Sequence, residues 1–98
     1  MLYVSTRGKT DLVSSAHAIT RGLAGDGGLF VPQNIPAMRM VDIKAMEHKP
    51  YTERAIDVLL QYLTDFSEDE LRECVNAAYA KDKFGDNPVP LVQVNDNT

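Results

Sequence analysis

The feature that most constrains this chain is a pair of amphipathic segments with almost nothing between them. From Tyr51 to Phe66, the residues Ala55, Ile56, Leu59, Leu60, Leu63 and Phe66 recur at spacings of three and four. That is the period of a helix with one wide apolar face. Arg54, Asp57, Gln61 and Asp65 fall on the water side, Thr52 is placed to cap the start, and Glu53 complements the positive end. Then Ser67-Glu68-Asp69-Glu70 reads as a capping box, with Phe66 and Leu71 spaced as a hydrophobic staple. Leu71, Cys74, Val75, Ala78 and Tyr79 continue as the second stripe, which makes Cys74 a small core residue. Two helices joined this tightly must fold back on each other, so an antiparallel hairpin is expected to hold most of the core. Three carboxylates in the first turn of the second helix complement its dipole; nothing apolar surrounds them to suit them to acid–base chemistry.

The flanking segments are shorter and less regular. Leu2-Tyr3-Val4-Ser5-Thr6 is β-prone. A short helix is expected over 13–24, capped by Ser14, with Ala16, Ile19 and Leu23 as its apolar stripe and Gly22 within it to allow close packing. Gly25-Asp26-Gly27-Gly28 then reverses the chain, with Asp26 bonded to its own turn, and Leu29-Phe30-Val31 forms a strand closed by Pro32. Gln33-Asn34-Ile35-Pro36 is an extended connector. Met38, Met40, Val41, Ile43 and Met46 are expected to fill core under a loop, near a helical turn starting at Asp42. Lys81 to Pro88 ends the second long helix, 89–94 is a last strand, and 95–98 is polar and turn-like. The fold class is therefore α+β: one small, mainly helical domain over 1–98, with a two-helix hairpin core and short peripheral strands.

Composition narrows the function. With 98 residues and a net charge of −4, the chain suits neither nucleic acid nor an anionic membrane as partner, and no apolar run is long enough to span a bilayer. A single cysteine excludes an internal disulfide and fits a reducing cytoplasm. Gly8-Lys9-Thr10 imitates the end of a phosphate-binding loop, but Tyr3 stands where that motif needs glycine. His17 has no second ligand type nearby and reads as a partly exposed helix residue.

Tyr3-Val4-Ser5-Thr6-Arg7-Gly8, Val13-Ser14, Gly22-Leu23-Ala24, Asp26-Gly27-Gly28-Leu29-Phe30-Val31-Pro32, Ile35-Pro36 and Pro90-Leu91-Val92, in that order and spacing, resemble the N-terminal domain of the threonine synthase family. Ser15 departs from it, standing where relatives often carry a large apolar residue. The resemblance implies a pyridoxal 5'-phosphate enzyme of the tryptophan-synthase-β-like type that converts O-phospho-L-homoserine and water to L-threonine and phosphate. The family's Schiff-base lysine lies in a motif like His-Gly-Pro-Thr-Xaa-Ala-Phe-Lys-Asp, which these residues do not contain. Lys9, Lys44, Lys49, Lys81 and Lys83 lack that context and read as surface lysines. By this resemblance residues 1–98 carry no catalytic and no cofactor-binding residue, are inactive alone, and serve the catalytic domains of the same chain as a scaffold that helps close the site. Ser5, Thr6, Arg7 and Gly8 are the substrate-adjacent candidates, since an arginine beside hydroxyls and a glycine suits a phosphate or carboxylate. An interdomain ion pair is the alternative role of Arg7. A stand-alone protein-interaction module is the alternative for the whole chain.

Overall fold

The computed structural model describes residues 1–97. Along the chain the elements are β1 (Tyr3–Ser5), α1 (Ser15–Arg21), β2 (Phe30–Pro32), α2 (Met40–Ala45), α3 (Tyr51–Tyr62), α4 (Glu68–Ala78) and α5 (Lys81–Phe84). Helices α3 and α4 form the expected hairpin. Ile56 from α3 and Leu71 and Val75 from α4 are its buried residues. Ser67 caps α4: its Oγ accepts from Glu70 N at 3.1 Å while Glu70 Oε1 accepts from Ser67 N at 3.0 Å. The Ser67 N–H, and then the Ser67 hydroxyl, hold the Glu70 carboxyl below its ordinary range. Arg72 of α4 ties the helices by pairing with Glu53 of α3, and reaches Glu68 at 3.3 Å. At the open end, the rings of Tyr51 and Tyr79 meet edge-on at 5.0 Å, with Phe84 of α5 beyond them.

Strands β1 and β2 pair antiparallel, Val4 opposite Val31, and Val13 bridges to Tyr3 on the other side of β1. The proline at the end of β2 is tolerated because β2 is an edge strand. β1 is fastened to the hairpin by the Tyr3 hydroxyl, which donates to the Tyr62 carbonyl at 2.6 Å. Burial, and then the Asp65 carboxylate, push the Tyr3 hydroxyl's pKa up.

Several expectations are corrected. Helix α3 ends at Tyr62 rather than Phe66, and Pro50, not Thr52, stands at its cap. Cys74 and Ala78 are exposed, because the α3 contact narrows the buried stripe of α4 to Leu71 and Val75. Helix α1 stops at Arg21, and Gly22 is its C-cap at φ +79° with open space where a Cβ would stand, so it terminates the helix rather than packing inside it. The stripe Ala16, Ile19, Leu23 faces outward. Instead α1 is held through its first turn: the Ser15 hydroxyl is buried and donates to Asp65, which also accepts from Ala16 N at 2.9 Å. A small polar residue at 15 thus gives α1 a polar anchor on the α3–α4 turn. The short helix near Asp42 begins at Met40, because the Asp42 carboxylate accepts from Arg39 N at 3.2 Å and Arg39 Nε at 3.3 Å. Met40, Val41 and Ile43 do not fill core; they are exposed, and Met38 and Met46 half-buried. Residues 89–94 form no strand among the described residues, since extended backbone becomes a strand only with a partner ladder. Thr98, the end of the polar tail, lies outside the described residues.

Candidate functional site

The tightest polar network joins the loop after β1 to the glycine turn before β2. Ser5 is buried at the end of β1, and its Oγ donates to the Asp26 carboxylate, 2.7 Å from Oδ1 and 2.9 Å from Oδ2. The same carboxylate accepts from Gly28 N at 2.9 Å and from Lys9 N at 3.0 Å. Thr6 N donates to the Leu29 carbonyl at 2.8 Å, and Thr6 Oγ1 accepts from Leu29 N at 3.0 Å. Gly8 N closes a turn onto the Ser5 carbonyl at 2.9 Å, with Gly8 at φ +68°. Arg7 at the apex is exposed, and its Nη1 donates to the Asp26 carbonyl at 3.0 Å.

Glycine serves two separate needs here. Gly27 takes φ +85°, which side chains resist. Gly28 provides space: a Cβ there would lie 2.3 Å from Ser5 Oγ, 2.9 Å from Thr6 Oγ1 and 3.1 Å from Arg7 N. The sequence-predicted candidates Ser5, Thr6, Arg7 and Gly8 therefore share one loop, braced by Asp26, Gly28 and Leu29. The partnership with Asp26 escaped sequence reading beyond its bond within its own turn. A local signal covers only the neighbouring residues, whereas Ser5 and Asp26 lie 21 positions apart.

The hydrogen bonds from Ser5 and Gly28, in that order, hold the Asp26 carboxyl below its ordinary range. A depressed folded-state pKa contributes stability that is present above the unfolded value of about 3.9 and lost as pH falls through the folded value. Thermal melts between pH 7 and 3 should therefore show Asp26→Asn losing less stability on acidification than the unaltered chain. Parallel curves would exclude this carboxylate as a source of acid sensitivity.

Lys9, Lys44, Lys49 and Lys83 are exposed, and Lys49 is paired with Asp57 at 2.7 Å. The side chain of Lys81 lies outside the described set. Among the described residues no group of His, Cys, Asp and Glu is arranged to hold a metal, and no helix is long and apolar enough to cross a membrane.

This small α+β unit superposes on part of much larger solved enzymes. Against a PLP-bound threonine synthase from Brucella melitensis the TM-score is 0.83 at 35% identity, covering 99% of this chain and 21% of that one. Against threonine synthase from Escherichia coli it is 0.80 at 27% identity, covering 98% and 21%. The threonine synthase of Schizosaccharomyces pombe is 39% identical over 80 residues, 80% of this chain and 16% of the relative. The family model described as the threonine synthase N terminus matches residues 2–79, and the chain belongs to that family. It spans about a sixth to a fifth of the length of these relatives.

Proposed function

We propose that these residues are the non-catalytic N-terminal domain of a cytoplasmic threonine synthase. The whole enzyme converts O-phospho-L-homoserine and water to L-threonine and phosphate, with pyridoxal 5'-phosphate held by a lysine elsewhere in the chain. The observation that carries this is the family match over residues 2–79. The surface agrees with a domain that packs on more protein. Among the described residues the buried apolar ones are few (Tyr3, Ala24, Ile56, Leu71 and Val75), while Ile19 and Leu29 stay about 60% exposed at a cavity of about 330 Å³. Leu91, Val92 and Val94 are more open still. The complete chain should release phosphate from O-phospho-L-homoserine, and residues 1–98 alone should release none. Turnover by residues 1–98 alone would refute a supporting role.

Within that reading Arg7 is the substrate-facing residue of the Ser5–Gly8 turn, binding the phosphate of the substrate. In the full-length enzyme, Arg7→Ala should raise KM for the phosphorylated substrate about tenfold or more, the scale of one lost charge-assisted hydrogen bond, with kcat little changed. An unchanged KM would leave the domain a scaffold only.

A further inference from the structure

We infer that Asp26 is the positioning residue of this domain: it fixes the Ser5–Lys9 loop from both sides and so aims the Arg7 guanidinium at the anionic group of the substrate. This rests on the reading of Arg7 given above. The geometry is specific. The Asp26 carboxylate binds Ser5 Oγ, two residues before Arg7, and Lys9 N, two residues after it. The Asp26 carbonyl takes Arg7 Nη1 itself. One residue thus holds the loop at each foot and the side chain near its tip. The Nε and Nη2 groups of Arg7 take no partner among the described residues. A planar guanidinium edge left open in this way suits a phosphate or carboxylate. The carboxylate also accepts Gly28 N, so the brace is continuous with the turn that brings β2 alongside β1.

Only a carboxylate meets these demands, because all its lone pairs accept. Asparagine has the same shape but one acceptor oxygen, so it must turn an NH2 toward at least one of the donors that Asp26 now serves. Charge alone predicts the opposite outcome. Removing a negative group close to Arg7 leaves the neighbourhood more positive, which should tighten an anion and lower KM. Positioning predicts a higher KM, so the sign of the change separates the two.

The test is made in the full-length, cofactor-loaded enzyme. Asp26→Asn should raise KM for O-phospho-L-homoserine about fivefold, the factor of one lost hydrogen bond of ordinary strength, with kcat within about twofold. Protection of the enzyme by inorganic phosphate against thermal unfolding should weaken in parallel. In the Arg7→Ala background the same change should add no further rise, since the two residues act through one contact. A KM unchanged or lowered by Asp26→Asn, while Arg7→Ala raises it, overturns the inference and leaves the Arg7 reading intact. A rise of equal size on top of Arg7→Ala also overturns it. If neither substitution moves KM, the Arg7 reading itself fails. Should Asp26→Asn not fold, Ser5→Ala removes the shortest bond to the carboxylate and should move KM the same way; no change there counts against the inference.

Discussion

Gly28→Ala is expected to cost about 2–4 kcal/mol, from overpacking plus at least one broken hydrogen bond. The added methyl would stand 2.3 Å from Ser5 Oγ and 3.1 Å from Arg7 N. Neither atom can easily retreat. Ser5 is buried and bound to Asp26, and Arg7 N belongs to the backbone of the turn. Relief requires β1 and the glycine turn to separate, which breaks the Ser5–Asp26 bonds and loosens the Thr6–Leu29 pair. For a domain of this size, each kcal/mol lowers Tm by roughly 4–8 °C, so the melt should shift by at least about 8 °C. Gly27→Ala is the control. Its positive φ carries a strain of about 1–2 kcal/mol, but the atoms nearest its Cβ belong to the exposed Arg7 guanidinium, 2.8 Å away at Nη1, a side-chain end that can shift at the cost of its bond to the Asp26 carbonyl. Gly28→Ala should therefore melt lower than Gly27→Ala; the reverse order would mean that backbone conformation, not space, fixes glycine in this turn.

That contrast shows what was legible in the sequence. A run of glycines announces a turn, and Asp26 beside them announces a bond within it. Which glycine is needed for φ and which for space depends on the strand that comes to lie against the turn, and Ser5 is far away in sequence. The hairpin was legible because its signals are local: apolar spacing and the Ser67–Glu70 box, both present in the folded chain. Its edges were not. The period of α3 continues to Phe66, yet the helix ends at Tyr62, where the carbonyl receives the Tyr3 hydroxyl and the chain bends so that Asp65 can reach Ser15. Stripe membership also misled at Cys74, Ile19 and Leu23. Periodicity marks a face as apolar but does not supply the element that covers it, and α1 and 89–94 have none among the described residues. Ser5, Thr6, Arg7 and Gly8 were gathered by chemistry and adjacency; their brace required the fold.

The second large effect is expected at Ile56. It has no exposed surface and sits where α3 packs on α4, with Leu71 and Val75 the buried residues of the facing helix. Ile56→Ala removes three carbons from a site whose surroundings cannot fully close, at a cost of about 2–5 kcal/mol. A chain of this length commands only about 5–15 kcal/mol in total, so the substitution takes a large share of it. Leu60→Ala and Leu63→Ala, at half-buried positions, should cost less, and Cys74→Ala, at an exposed one, should change stability by no more than about 0.5 kcal/mol. The loss should also reach the candidate site. β1 is hooked to the last turn of α3 through the Tyr3 hydroxyl and the Tyr62 carbonyl, and Ser5, two residues on, anchors Asp26. If the hairpin holds β1 in place, hydrogen exchange at the Gly28 amide, which is bonded to Asp26, should accelerate in Ile56→Ala along with the amides of α3. Protection at Gly28 that stays unchanged while α3 opens would show the loop and glycine turn to be a separate folding unit, stable without the helices beneath them.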